Sequence, residues 1–300
     1  MRRLLLFLCL PFLISADPIP PLPAERAPLI VQPFYMKDIY RNQIWNSVPF
    51  HVTVITFRNF DNDRWRESKP YAIKRVYEHQ LSRGKRQVIM LGEIQERMEG
   101  RYLSIFRDSI CACYLFDGKV IADTQLPVLR AIELLGTDRV YVITDKSDLA
   151  KRREATLRRT LIESNVKLMT YNVSSATELR AALVSLNSKP QGILFIDAYD
   201  LLSDTGKRIR YRYIEQVVTD FNKTHLEVGI YRREHRSALA VGLDPADIGK
   251  SIVSLIEGTP QPALEVKSSV NVARLNQLGL LHLAAGSFKE AFLYEPIDSR

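Results

Sequence analysis

Between Gly136 and Asp200 the hydrophobic pattern switches from strand to helix and back twice, and this constrains the fold more than any other stretch. Arg139–Thr144 (RVYVIT) is a short β-branched run, as a strand inside a sheet should be. Asp148–Glu163 puts Ala150, Leu157 and Leu161 on one face and Lys151, Arg152, Arg153, Arg158 and Arg159 on the other, which predicts a helix with one apolar stripe. Val166–Tyr171 alternates and reads as a strand near the sheet edge. Ser175 and Glu178 have capping-box spacing, ahead of a helix carrying Ala176, Leu179, Leu183 and Leu186. Gln191–Ile196 is almost wholly apolar, as a central parallel strand must be when helices cover both faces. Such alternation demands a parallel sheet with right-handed crossovers. Ligands of these sheets bind beyond the carboxyl ends of the strands. Thr144, Asp145, Lys146 and Ser147, with Asp197, Ala198, Tyr199 and Asp200, are therefore the first candidate positions.

The same alternation precedes this stretch. Leu29–Phe34, Phe50–Phe57, Gln87–Leu91 and Ser109–Phe116 read as strands, and Lys37–Val48, Pro70–Ser82 and Ile94–Phe106 as helices. The first of these helices carries Ile39, Ile44 and Trp45 as its apolar positions. Two α/β lobes in tandem result, and the length suffices for a core in each. Thr124–Leu135 is a helix leading into the second lobe. Gly206–Phe221 is predicted to be an amphipathic helix with Ile209, Tyr213, Val217 and Phe221 on one stripe. Lys207, Arg208, Arg210 and Arg212 give it a solvated basic face. Glu227–Tyr231 and Ser237–Leu243 are further strands. Asp244 and Pro245 then open a helix with Ile248, Ile252 and Ile256 on its buried face, stopped by Gly258 and Pro260. Ala263–Val272 is extended, and Asn271–Gly279 closes with a short helix.

The N-terminus reads as an export signal: basic Arg2-Arg3, apolar Leu4–Ile14, and a small-residue cleavage site at Ile14-Ser15-Ala16. The apolar run is too short to span a bilayer. Asp17–Pro28 is a proline-rich leader. The expected product is soluble, periplasmic and monomeric. The formal charge is +8, and about +6 remains once Arg2 and Arg3 are removed. No aromatic residues interleave with the basic ones in the manner of nucleic-acid modules, so no nucleic-acid partner is expected. Cys111 and Cys113 are two residues apart on one side of a strand, near the limit for bridging, and read as small buried side chains.

Catalytic and cofactor signatures are missing from the sequence. There is no phosphate loop of Walker or dinucleotide spacing and no G-x-S-x-G elbow. The five histidines, His51, His79, His225, His235 and His282, lack metal-ligand spacing. Carboxylates at strand ends, Glu93, Asp117, Asp145, Asp197, Asp200 and Asp244, serve capping or ligand gripping better than acid–base catalysis. The chain is expected to be no enzyme and to need neither cofactor nor metal. Asn172-Val-Ser174 and Asn222-Lys-Thr224 match the glycosylation pattern, which is short enough to arise by chance.

Three stretches carry a resemblance: ADTQLPVLRAIELLGTDRVYVITDKSD, ALAVGLDPADIGKSIVSLIEG and VNVARLNQLGL. Through them the chain, from about Leu29 to Gly279, resembles the ABC-transporter substrate-binding proteins of the tryptophan/tyrosine-binding type, which share the type I periplasmic binding fold. The resemblance implies two Rossmann-like lobes with parallel sheets joined by a hinge that closes on a small organic solute, such as an amino acid. The partner it implies is a membrane permease; a divergent member acting as a sensor on a membrane protein, without transport, is the alternative. It divides the chain into a signal peptide (1–16), the leader (17–28), a first lobe (29–122 plus 237–262) and a second lobe (123–236 plus 263–300). Implied ligand-binding positions are Tyr35, Gly92, Glu93, Thr144, Asp145, Ser147, Asp197, Tyr199, Arg232 and Asp244. Glu93 or Asp145 would meet an amino group and Arg232 a carboxylate. Lys146, Tyr199, Arg232 and Arg233 stand where the family carries small polar residues.

Overall fold

The computed structural model describes residues 29–33, 40, 42–49, 52–57, 88–90, 125–162, 164–232, 235–260, 262, 264–285 and 292–294. The signal peptide, the leader, the first-lobe helices over 70–82 and 94–106, and the strand with Cys111 and Cys113 lie outside them.

Two separate sheets form. The smaller contains β1 (Leu29–Pro33), β2 (Thr53–Phe57) and β3 (Val88–Met90), all parallel, with β1 in the middle. Helix α1 (Gln125–Leu135) leads into the larger one. There follow β4 (Arg139–Thr144), α2 (Asp148–Ile162), β5 (Lys167–Asn172), α3 (Ala176–Leu186), β6 (Ile193–Asp197), α4 (Tyr211–Phe221) and β7 (Leu226–Ile230). The chain continues with β8 (Leu239–Leu243), α5 (Pro245–Glu257), β9 (Val266–Asn271), α6 (Val272–Gln277), α7 (His282–Ala285) and β10 (Phe292–Tyr294). The sheet order is β10-β9-β8-β7-β6-β4-β5, parallel except where β9 runs against β8. β5 is an edge strand and β6 is interior, as their apolar content predicts.

Side chains alternate across the larger sheet. Val140, Val142, Ile193 and Phe195 enter one apolar cluster, with Leu157 and Leu161 of α2 and Val128 of α1. Tyr141, Ile143, Leu194 and Ile196 enter another, with Leu179 and Leu183 of α3 and Ile214 and Val217 of α4. Both faces are dry, so β4 and β6 tolerate almost nothing polar before their last residues.

Three expectations change. The resemblance assigns Ser237–Leu243 to the first lobe, yet β8 pairs with β7 and β9 inside the larger sheet. Helix α5 does go across, to the turn at Trp45–Ser47, where a Cβ on Gly249 would sit 2.5 Å from the Ile44 carbonyl oxygen. Second, no helix starts at Gly206. Ser203–Lys207 is a tight turn in which Gly206 (φ +73°) takes the left-handed conformation, and α4 begins only after extended Arg210. Its buried face is Tyr211, Ile214, Glu215, Val217 and Val218, leaving Tyr213 exposed. Third, the Ser175 hydroxyl accepts from the Glu178 N–H (3.2 Å) as a cap should, but the Glu178 carboxylate reaches back to Ser174 rather than Ser175 (2.7 Å to its N–H).

Candidate functional site

The parallel register sets Thr144 level with Asn172 and Asp197, so the carboxyl ends of β4, β5 and β6 come out side by side. The Thr144 hydroxyl donates to Asn172 Oδ1 (2.9 Å). Asp145, one residue on, is buried and has both carboxylate oxygens engaged. Oδ1 accepts from the Ser147 N–H (2.9 Å), and Oδ2 from the N–H groups of Tyr199 (2.9 Å) and Asp200 (3.1 Å). One carboxylate thus ties the loop after β4 to the loop after β6, in the manner of an anion held by converging amides. Ser147 caps α2, its hydroxyl accepting from the Ala150 N–H (3.2 Å). Lys146 is exposed.

Beyond these loops lies a chain of charge and aromatic contacts. Arg153, on the second turn of α2, donates to Asp197 Oδ1 (2.8 Å) with both side chains buried. Its guanidinium also lies over the Tyr199 ring, 5.5 Å from the centroid. Tyr199 packs on Tyr211, ring centroids 5.2 Å apart. Arg232, just past β7, lies over the other ring, 5.6 Å from the Tyr211 centroid, and is ion-paired with Glu215. Arg208 pairs with Asp200 (3.1 Å) and donates to the Tyr199 carbonyl. Each of these three arginines therefore has a carboxylate partner.

The first lobe reaches this wall through Tyr40 and Ile44, both almost fully buried in the cluster that holds Tyr199, Tyr211, Ile230 and Leu243. Burial pushes the Tyr40 phenol well above its ordinary pKa, while the positive charge of Arg232 pulls it back. Burial likewise raises Tyr211, helped by Glu215 and opposed by Arg232. Behind Arg232, buried His235 is placed by the Ser237 carbonyl on Nδ1 (2.9 Å) and the Ser269 hydroxyl on Nε2 (2.8 Å). A carbonyl can only accept, so Nδ1 carries the proton.

Asp244 is at the crossing from β8 to α5. Its Oδ1 caps the helix through the Ala246 N–H (2.9 Å), and its Oδ2 accepts from Lys267 (2.9 Å), which also reaches Asp247 (3.3 Å). One lysine on β9 thereby ties the outward and return crossings together. An open cavity of about 670 Å³ adjoins it, lined by Leu126, Arg130, Tyr231, Val241, Val266, Lys267 and Ser268.

Of the positions proposed from sequence, Thr144, Asp145, Ser147, Asp197, Tyr199 and Arg232 converge on the strand ends, and Asp244 stands apart at the crossing. Tyr35, Gly92 and Glu93 lie outside the described residues. The structure gives Asp145 and Ser147 structural partners, and gives Arg232 a carboxylate of its own. Sequence reasoning missed Arg153, Glu215, Tyr211 and Tyr40. Glu215 gave no signal, since it falls opposite the stripe of Ile209, Tyr213, Val217 and Phe221 predicted to be buried. Among the described residues no cluster of His, Cys, Asp or Glu could hold a metal ion, and no helix is long and apolar enough to cross a membrane. Asn222 of the second glycosylation pattern is buried and bonded to His225 and Glu227.

No protein-family model matches the chain, and no curated protein does. Solved structures do. The chain is similar to the ABC domain of Streptococcus pneumoniae in complex with L-Trp, at 14% identity and TM-score 0.51, over 89% of this chain and 99% of that one. It is similar to the ligand-free, open structure of a substrate-binding protein with adhesive properties from Clostridium difficile (10% identity, TM-score 0.51, 90% and 100% covered). A conserved domain protein of Vibrio cholerae gives 12% identity and TM-score 0.53, over 89% and 99%. At these identities the likeness establishes the fold, which is of the type I periplasmic binding kind: two α/β lobes built on parallel sheets.

Proposed function

We propose that the chain is an exported solute-binding protein that closes its two lobes on a small organic solute and presents it to a membrane permease. The observation that carries this reading is the meeting of Tyr40 from the first lobe with the Tyr199–Tyr211–Arg232 wall at the strand ends of the second. Strand ends are where open α/β sheets bind ligands, and two lobes meeting there make a clamp. Of the structures it resembles, one is described with L-Trp bound and one as ligand-free and open, the two states a clamp passes through. The signal-like residues 1–16 supply the route to the periplasm, and one chain is enough for the clamp. Thermal-shift screening of the purified chain against amino acids and small organic acids tests this. At least one compound should raise the unfolding temperature and shrink the radius of gyration in solution scattering; no shift with any compound would sink the reading.

The self-paired arginines favour a second reading, a sensor or interaction module that acts on a membrane protein without transport. Pull-down from membranes separates the two, since recovery of a permease alone rejects the second.

A further inference from the structure

The basic run at 207–212 divides in two. Arg208 turns inward, to the Asp200 carboxylate and the Tyr199 carbonyl. Lys207, Arg210 and Arg212 are exposed, and none of the three makes an ion pair or a side-chain hydrogen bond. The local fold does not account for them. Arg210 is the N-cap of α4 without a side-chain cap bond, and the first turn contains Arg212 and no acidic residue. The amino end of a helix favours acids and disfavours cations. Three charges are therefore kept where they do nothing for the helix and have no partner in the lobe.

The run forms a rim rather than a helix face. Ser203–Lys207 is a turn at the carboxyl ends of the strands, and Leu202 bridges to Ser175 on one side and Arg208 on the other. Asp204 of that turn accepts from the Thr177 hydroxyl of α3 (2.7 Å). One turn further along α3, Arg180 donates to the Tyr213 hydroxyl of α4 and makes no ion pair. Four cations are thus gathered at one end of the lobe. Among the described residues there, Asp200 is paired with Arg208 and Glu178 feels the charge of Lys146, which leaves Asp204 against the four. Two further side chains stand among them in solvent: Leu202 is 42% and Tyr213 41% exposed.

We propose that this rim docks on the surface of an anionic membrane. The charge complementarity is direct, and the form of the rim favours lipid over an acidic protein. A protein partner is met by preorganised side chains that fill a pocket. Lys207, Arg210 and Arg212 are long side chains held by nothing, which suits many mobile phosphates. Leu202 and Tyr213 are of the kind that enter the headgroup region. Each cation near such a surface contributes about fivefold in affinity, so docking is weak, reversible and sensitive to salt. The rim is on the outside of the second lobe, and the proposal holds whether or not the lobes close on a solute.

The test sediments the purified chain with vesicles of phosphatidylcholine containing about 30% phosphatidylglycerol, and with vesicles of phosphatidylcholine alone, at about 50 and 300 mM salt. The wild type should prefer the anionic vesicles at the lower salt and lose most of that preference at the higher. Lys207→Gln, Arg210→Gln and Arg212→Gln together should lower the preference about a hundredfold, and each alone about fivefold. The matched control is Lys167→Gln with Lys189→Gln and Lys223→Gln. It removes the same charge from three exposed lysines at the amino ends of the strands, and it should bind like the wild type. Any binding through the apolar residues 4–14 is common to all variants and cancels in the comparison. The substituted residues are exposed, so circular dichroism should not change. Equal losses in the two triple variants overturn the proposal, because net charge alone then explains the binding. A wild type without preference for the anionic vesicles also overturns it. A wild type that binds soluble polyglutamate and not the anionic vesicles overturns it in favour of an acidic protein partner.

Discussion

His235 gives the fold a measurable acid sensitivity. Its ring is buried, reaching Ser269 of β9, and neutral, with Nδ1–H donating to the Ser237 carbonyl and Nε2 accepting from the Ser269 hydroxyl. Burial, with the positive charge of Arg232, pushes its pKa down to about 4, against a backbone hydrogen bond that pulls it up. The unfolded chain titrates this histidine near pH 6.5, so between about pH 6.5 and 4 the unfolded state holds one more proton than the native state. Stability contributed by the neutral ring is complete above that window and falls as pH drops through it. A shift of this size corresponds to roughly 3 kcal/mol. The assay is urea unfolding at half-unit steps from about pH 7.5 to 4, for the wild type and His235→Asn. Asparagine keeps a donor for the Ser237 carbonyl and cannot titrate. It loses the bond to Ser269 and some packing, a deficit that stays constant with pH. Carboxylates common to both proteins cancel in the difference. The wild-type advantage should shrink by roughly 3 kcal/mol on acidification, all of it below about pH 7. A pH-independent difference would refute the assignment of a neutral, buried ring.

Arg153→Met should cost about 3–5 kcal/mol in urea unfolding, because it leaves the Asp197 carboxylate buried without its ion pair, whereas Arg153→Met with Asp197→Leu should return most of that loss. Gly249→Ala should lower stability by about 1–3 kcal/mol in thermal unfolding, since the clash is with a backbone oxygen that cannot swing away. Lys267→Met should remove an alkaline contribution. The hydrogen bond to Asp244 raises the lysine pKa, so its stabilisation is present below the unfolded value and lost as pH rises past about 10.5. The wild-type advantage over Lys267→Met should therefore fade in unfolding curves taken between about pH 9 and 11.5.

Most of the second lobe is legible in the sequence because its signals are local. β-branched β4, the stripe of α2 and the Ser175 cap are each decided within a few residues, and the structure places them within one or two residues of the expected ends. The start of α4 is not legible, because Ile209, Tyr213, Val217 and Phe221 share helical spacing by coincidence. The turn at Ser203–Lys207, with its left-handed Gly206, is flanked by bonds to Leu201 and Ser174, the second of which no local window contains. The site is half legible for the same reason. Strand ends follow from the alternation, so Asp145, Asp197 and Tyr199 can be named. The partners that use up their charges, Arg153 from the second turn of α2 and Glu215 from the buried face of α4, are fixed only by how helices lie on the sheet. A lone arginine at a strand end reads as an anion site until its carboxylate is found.

On the proposed function, the parts that can move follow from where the chain is tied down. Asp145 ties two strand-end loops through three backbone amides, and the Arg153–Asp197 and Arg208–Asp200 pairs tie α2 and the 202–210 turn to the same ends. This floor is preorganised. The lobes are joined differently, by apolar packing of Tyr40 and Ile44 and by two crossings held at Lys267. Exposing a buried Tyr or Ile costs about 1.5–3 kcal/mol, so Tyr40 and Ile44 alone set several kcal/mol against parting the lobes. Each of the three arginines has a carboxylate partner on the second lobe, and the charge of Arg232 also reaches Tyr40 of the first. On the proposed function, a solute that stabilises closure supplies contacts to both lobes, and on the second lobe the rings of Tyr199 and Tyr211 are the aromatic faces at the strand ends.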